Sequence, residues 1–298
     1  MNMDTIDKIT EALSKRSLDY SMINYPDKRV KSIDLIAINK NNSRIILKIL
    51  KNKKITKIKQ DLQNVARIGI GIPIMIDDNV EQEVINDKGN VFEMNVNTFE
   101  RILDGEKVFL YKTRGGIFVR INSKELRRRR EEMGLSLGEV AQSLGVSRIS
   151  IYEYEREDSY VSIDIAEKLV EIFGEDILGG IFDNFGTYDI SSESENLSAS
   201  SISSKLITKL TEKGFKTVSM SFTAVDIIAL KGGKKLLFSL EAQSTSESLI
   251  KFNEAKKISE KMSSNLIVVV KDSKNKKAYE KEGFNTIAEN EIMKYEFD

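Results

Sequence analysis

The sequence predicts a mixed fold in which a central all-α unit lies between two α/β domains. Three observations carry this expectation. Between Leu126 and Glu157 the chain has the capping and turn residues of two short, crossing helices. The order α-β-β-β-α-β can be read once near the N-terminus and again near the C-terminus. A serine-rich stretch with almost no apolar content, Ile190 to Ser204, separates the second occurrence from the helices and reads as a flexible linker.

Taken in order, Asp4 to Lys15 places Ile6, Ile9 and Leu13 at helical spacing, and a strand should follow. The β-branched runs SIDLIAI (Ser32 to Ile38) and RIILKIL (Arg44 to Leu50) flank NKNNS, which supplies turn chemistry, so they predict a hairpin. Lys57 to Ile68 then reads as a helix and Gly71 to Ile76 as a buried strand. Lys107 to Ile121 holds two alternating runs joined by TRGG, a second hairpin. It could be a connector, a dimerisation ribbon or a DNA-contacting wing, and the connector reading is preferred. Near the C-terminus Leu206 to Lys213 predicts a helix, Ala224 to Leu230 and Lys235 to Glu241 a strand pair, Ser246 to Met262 a helix and Asn265 to Val270 a buried strand. The shared DLIA and DIIA cores, beginning at Asp34 and Asp226, align the two halves as an internal repeat.

In the centre, Ser136 and Glu139 have the spacing of a capping box, which starts a helix that runs to about Leu144. Gly145 ends it, because a tight turn between helices demands the left-handed conformation that glycine adopts freely. Ser147 caps the next helix. Val140, Ala141, Leu144, Val146, Ile151 and Tyr154 fall on the facing sides, with Ala141 small enough for a close crossing. Arg148, Ile149, Tyr152 and Glu153 then project together from the outer face, where a recognition helix meets base edges. Four successive arginines, Arg127 to Arg130, lie on the preceding helix. They suit either phosphate contact or pairing with Glu131 and Glu132 on a solvated face.

GVSRISIYEYE resembles the lambda-repressor/Cro-like (XRE) family, with its glycine-valine-serine-arginine turn and the tyrosine-glutamate late in helix three. The resemblance implies a five-helix domain, with helix one at Lys124 to Met133, helix four at Ile163 to Phe173 and helix five at Asp176 to Phe185. It also implies double-stranded DNA as partner, bound as a homodimer. The site residues it points to are Arg148, Ile149 and Glu153 on bases, Ser147 and Tyr152 toward phosphate, and Arg127, Arg128 and Arg130 from helix one. This sequence departs from the family at Leu137, where many members carry a glutamine, and at Gly138, which weakens helix two.

The flanks resemble the PD-(D/E)xK nuclease fold, in which carboxylates on neighbouring strands hold a hard cation and a lysine steadies the attacking water. Asp226, Glu241 and Gln243 stand at the matching C-terminal positions; in the N-terminal half Asp34 remains, but Leu50 and Asn52 replace the others. A degenerate site, with no metal and no cofactor, is the expectation. The layout as a whole resembles a group of archaeal helix-turn-helix regulators.

Composition narrows the classes. The 298 residues are 40% hydrophobic and balance to zero net charge, with neither cysteine nor histidine. Disulfides, thiol catalysis, zinc fingers and histidine acid-base chemistry are therefore excluded. No apolar run reaches transmembrane length and no signal-peptide pattern opens the chain, which predicts a cytoplasmic protein without membrane contact. From Lys112 to Glu157 ten Lys/Arg face seven Asp/Glu, a modest basic excess. The expected domains are 1–106 (nuclease-like), 107–121 (hairpin connector), 122–187 (helix-turn-helix), 188–204 (linker) and 205–298 (nuclease-like). The leading function is a sequence-specific DNA-binding transcriptional regulator and not an enzyme. The alternatives are a Mg²⁺-dependent DNA nuclease using Asp226 and Glu241, and an adapter that binds the transcription machinery.

Overall fold

The structure, a computed structural model, describes residues 4–27, 30–50, 56–107, 109–156, 159–183 and 201–297. Asn52, Glu157 and residues 184–200 of the expected helix five and linker lie outside them. In chain order the elements are α1 (Thr5–Lys15), β1 (Asp19–Met22), β2 (Leu35–Ile38), β3 (Arg44–Ile49), α2 (Thr56–Ile68), β4 (Ile72–Ile76), β5 (Val84–Asp87), β6 (Phe92–Met94), α3 (Val96–Leu103), β7 (Leu110–Thr113), β8 (Gly116–Ile121), α4 (Ser123–Glu132), α5 (Leu137–Leu144), α6 (Arg148–Arg156), β9 (Ser159–Val161), α7 (Ile163–Phe173), α8 (Ser201–Glu212), β10 (Lys216–Ser219), β11 (Ile227–Lys231), β12 (Lys234–Leu240), α9 (Thr245–Met262), β13 (Asn265–Val270), α10 (Ser273–Lys281) and β14 (Thr286–Ala288). They divide between two compact units, Met1–Ala12 with Ile74–Phe185, and Leu13–Pro73 with Gly186–Asp298.

In the first unit the strands run in the order β4-β6-β5-β7-β8-β9. β7 lies parallel to β5 and antiparallel to β8, and β8 in turn pairs antiparallel with β9. The expected hairpin thus forms, and β9, a three-residue strand that sequence patterning does not mark, fastens it to the helices. Val119 and Ile121 of β8 and Val161 of β9 share one core with Leu126, Val140, Ala141, Leu144, Ile151, Ala166, Leu169 and Phe173. Tyr160 packs on Tyr111 and donates to Asp87 at 2.7 Å.

Helix five is a correction. After α7 the chain makes a single 3-10 turn, Glu175–Ile177, and Leu178 then bridges to Ile121. The reason is close backbone packing. Gly179 donates to the Arg120 carbonyl at 2.8 Å, and a Cβ on Gly179 would lie 2.9 Å from the Ile121 carbonyl carbon. A continued helix could not make that contact. The linker is corrected at its end, since Ser201 to Ser204 already form the first turn of α8.

In the second unit, β1-β2-β3 is an antiparallel meander, and β10-β11-β12 is another, continued by parallel β13 and β14. Leu206 and Leu210 of α8 cover one face of the C-terminal sheet, with Ile227, Phe238, Ile267 and Val269 beneath. Phe252 of α9 and Tyr279 of α10 cover the other, over Val268 and Val270. The two parts cap one another's loops. Asp61 on α2 accepts from the Ser221 and Phe222 amides, both at 2.8 Å. Glu254 on α9 accepts from the Asn24 amide at 2.8 Å. Burial raises the Asp61 pKa above the usual carboxylate range, although both amides act to lower it.

Candidate nucleic-acid interface

The local signals build the helix pair. The Ser136 hydroxyl accepts from the Glu139 amide at 3.2 Å, and the Glu139 carboxylate accepts from the Ser136 amide at 2.7 Å, closing the capping box. That amide holds the Glu139 carboxyl below its ordinary range. Gly145 adopts φ 70°, and the Val146 amide folds back onto the Ala141 carbonyl. Ser147 starts α6 by accepting from the Ser150 amide at 3.0 Å. Val140, Ala141, Leu144 and Ile151 are buried, and Val146 and Tyr154 pack against them.

The outer row of α6 is left open to solvent. Ile149 is 71% exposed, the highest value for a large apolar side chain among the described residues, Tyr152 is 52% exposed, and Arg148 and Glu153 are exposed beside them. Ser147 lies at the N-terminal edge of the same row, its hydroxyl committed to the cap. Glu153 faces Arg156 at 3.9 Å.

The arginine run is divided by partner. Arg127 pairs with Glu131 at 2.9 Å, and Arg128 bridges Glu125 and Glu132; both arginines are exposed. Arg129 contacts Glu125 and Asp176. Arg130 turns inward. Its guanidinium donates to both oxygens of Glu155 on α6, at 2.5 and 2.8 Å, and to the Leu135 carbonyl at 2.8 Å. Arg130, expected to reach phosphate, has its charge engaged between α4 and α6.

The nuclease-like positions are held by different partners. Asp226 accepts from the Leu240 amide at 2.7 Å and is paired with Lys251 of α9, whose ammonium stands 2.7 and 2.9 Å from its two oxygens. Glu241 faces another way, accepting from the Lys271 amide at 2.9 Å and from Asn275 at 2.7 Å. Gln243 is exposed. In the N-terminal part Asp34 accepts from the Ile49 amide at 2.7 Å and pairs with Lys48 at 3.0 Å, while Leu50 carries no ligand atom. Among the described residues no group of three or more acidic side chains is placed to hold a metal ion. Lys251, which sequence reasoning missed, supplies the positive charge that Gln243 lacks. No local pattern could have found it, since it lies 25 residues from Asp226 and reaches it only through the packing of α9.

Residues 126–179 match the helix-turn-helix family and residues 2–108 the PD-(D/E)XK superfamily domain. A protein of Sulfurisphaera tokodaii named "Putative HTH-type transcriptional regulatory protein" is 69% identical over 99% of this chain and all of its own length. The chain belongs to this archaeal regulatory-protein family. A relative from Sulfolobus acidocaldarius with the same name is 46% identical over 98% of each chain. One from Saccharolobus islandicus is 36% identical over 98% of this chain and 95% of the relative. No solved structure matches.

For this family member the distribution of charge is informative. From Ser123 to Asp183 there are eight Lys/Arg against fourteen Asp/Glu, so the helical unit is net acidic. The stretch just before it, Lys107 to Asn122, has four Lys/Arg and no Asp or Glu. Among the described residues no helix is long and apolar enough to cross a membrane.

Proposed function

We propose that the protein is a sequence-specific DNA-binding transcriptional regulator that lays α6 in the major groove. The observation that carries this reading is the row on α6. Ile149, the most exposed large apolar side chain among the described residues, and the half-exposed Tyr152 lie on one face of α6, next to a cation, Arg148, that forms no ion pair among the described residues. Arg148 suits the two acceptors of a guanine edge, Ile149 a thymine methyl and Glu153 a cytosine amino group, while Tyr152 and the edge at Ser147 would face phosphate. Arg127 and Arg128 could exchange a carboxylate for a phosphate at little cost, because exposed ion pairs are weak. The protein would act as a homodimer in the cytoplasm, since a single recognition helix covers too few base pairs for specificity.

The α/β parts fit a scaffold role. Their matched elements, and the equivalent anchoring of Asp34 on the Ile49 amide and Asp226 on the Leu240 amide, support a duplicated nuclease-like ancestor. Lys251 neutralises the carboxylate that a metal would need. A gel-shift with the purified full chain and the intergenic DNA upstream of its own gene tests the reading. A specific, competable shift supports it, and equal binding to unrelated duplex counts against it.

A second reading, an adapter for the transcription machinery, is favoured by the acidic balance of the helical unit. A complex with those proteins that forms equally well without DNA would favour it.

A further inference from the structure

We infer that the β7–β8 hairpin is a second DNA-contacting element, a basic finger that supplies phosphate contacts which the acidic helical unit lacks. The inference rests on the DNA-binding reading and extends it to a surface outside the helix-turn-helix.

Between residues 107 and 183, among those described, Lys112, Arg114, Lys124 and Arg148 have neither an ion pair nor a side-chain hydrogen bond to another residue. Arg148 is on the recognition helix and Lys124 on the first turn of α4. The other two belong to the hairpin, Lys112 on β7 and Arg114 at the tip, and both are exposed. A cation already held by a carboxylate must lose that partner to reach phosphate, whereas an unpaired one only releases counterions.

The hairpin has the shape for this role. β7 pairs with β5 only as far as Asn86↔Lys112, and β8 pairs with β9 only from Val119↔Val161 onward. The turn residues Arg114 to Gly116 are therefore paired with neither neighbouring strand, and Gly116 to Phe118 carry β8 about 10 Å past the end of β9. Gly116 holds φ 139°, a conformation open to glycine, and keeps the turn narrow. Ile117, paired with Lys112 across the hairpin, is 52% exposed. No acidic side chain lies in the hairpin, and Glu83, just before β5, is held by Arg101 at 2.6 Å.

The finger is also fixed to the reading helix. β9 begins three residues after α6 ends, and Val119, Ile121 and Val161 share a core with Leu126 and Ile151. Finger and α6 would move as one body, so a finger contact sets the register of α6 in the groove without reading bases itself.

The test is fluorescence anisotropy of the full-length protein on its upstream DNA and on an unrelated duplex of equal length, over a salt series. Lys112→Gln with Arg114→Gln should weaken binding to both duplexes alike and lower the slope of log K against log salt by about 1.8. The double variant should then lose roughly twelvefold less affinity than wild type between about 50 and 200 mM salt. Arg114→Lys with Lys112 intact should keep the wild-type slope. A double variant with wild-type slope and affinity would overturn the inference while leaving the α6 reading intact. Loss of binding with a fall in molar mass by light scattering would also overturn it, by making the hairpin a dimer surface. Failure of wild type to bind any duplex would remove the DNA-binding reading, and the finger with it.

Discussion

Arg130 and Glu155 lie on different helices, and their side chains, 12% and 7% exposed, close on one another through two hydrogen bonds. The pair ties α4 to the helix that presents Arg148 and Ile149. One arginine of the run is therefore part of the internal frame.

Removing one member leaves a largely buried charge without its partner, so Glu155→Ala should cost about 3 kcal/mol of stability. Arg130→Met with Glu155→Leu should recover much of that loss. Chemical denaturation of the three proteins checks both. A change below about 0.5 kcal/mol in Glu155→Ala would mean that the pair is worth no more than a surface one.

The capping box gives a pH dependence with a definite sign. The folded Glu139 carboxyl titrates below its unfolded range because the ionised form accepts from the Ser136 amide. Its contribution is complete above the unfolded value and disappears as pH falls through the lower, folded one. Melting curves through the acid range should show wild type and Glu139→Gln converging as the carboxyl protonates. Parallel curves would remove the cap from the account.

In the C-terminal α/β part, Lys251→Met should destabilise by about 3 kcal/mol, since the Asp226 carboxylate, whose pKa burial already raises, would lose the cation that favours its charged form. Wild type and Glu241→Ala should both fail to cleave duplex, single-stranded or branched DNA with Mg²⁺ or Mn²⁺. Metal-dependent nicking by wild type that Glu241→Ala abolishes would restore the enzyme reading.

What was legible in the sequence was local. Ser136, Glu139, Gly145 and Ser147 each act within five residues, so helix starts, the turn and the outward row on α6 could all be placed beforehand. Helices one and four fall within one residue of expectation for the same reason. What depended on distant packing was not legible. Helix five gives way to a 3-10 turn because Gly179 meets the backbone of Ile121 and Asn122. β9 is too short to show a period, and exists because β8 offers it an edge. Arg130 reads like its three neighbours, and only Glu155, 25 residues on, sets it apart. The partners of Asp226 and Glu241 were not legible either. Lys251 holds one and the turn into α10 the other.

The central claim is that α6 reads base edges, and Arg148 tests it most directly. Binding of wild type and Arg148→Ala should be measured on the upstream site and on each single-base-pair variant of it, at fixed salt. Arg148→Ala should lose about 1–3 kcal/mol on the native site and lose discrimination at one base pair, with its melting temperature unchanged. Unchanged preference at every position, in a folded variant, would contradict the account.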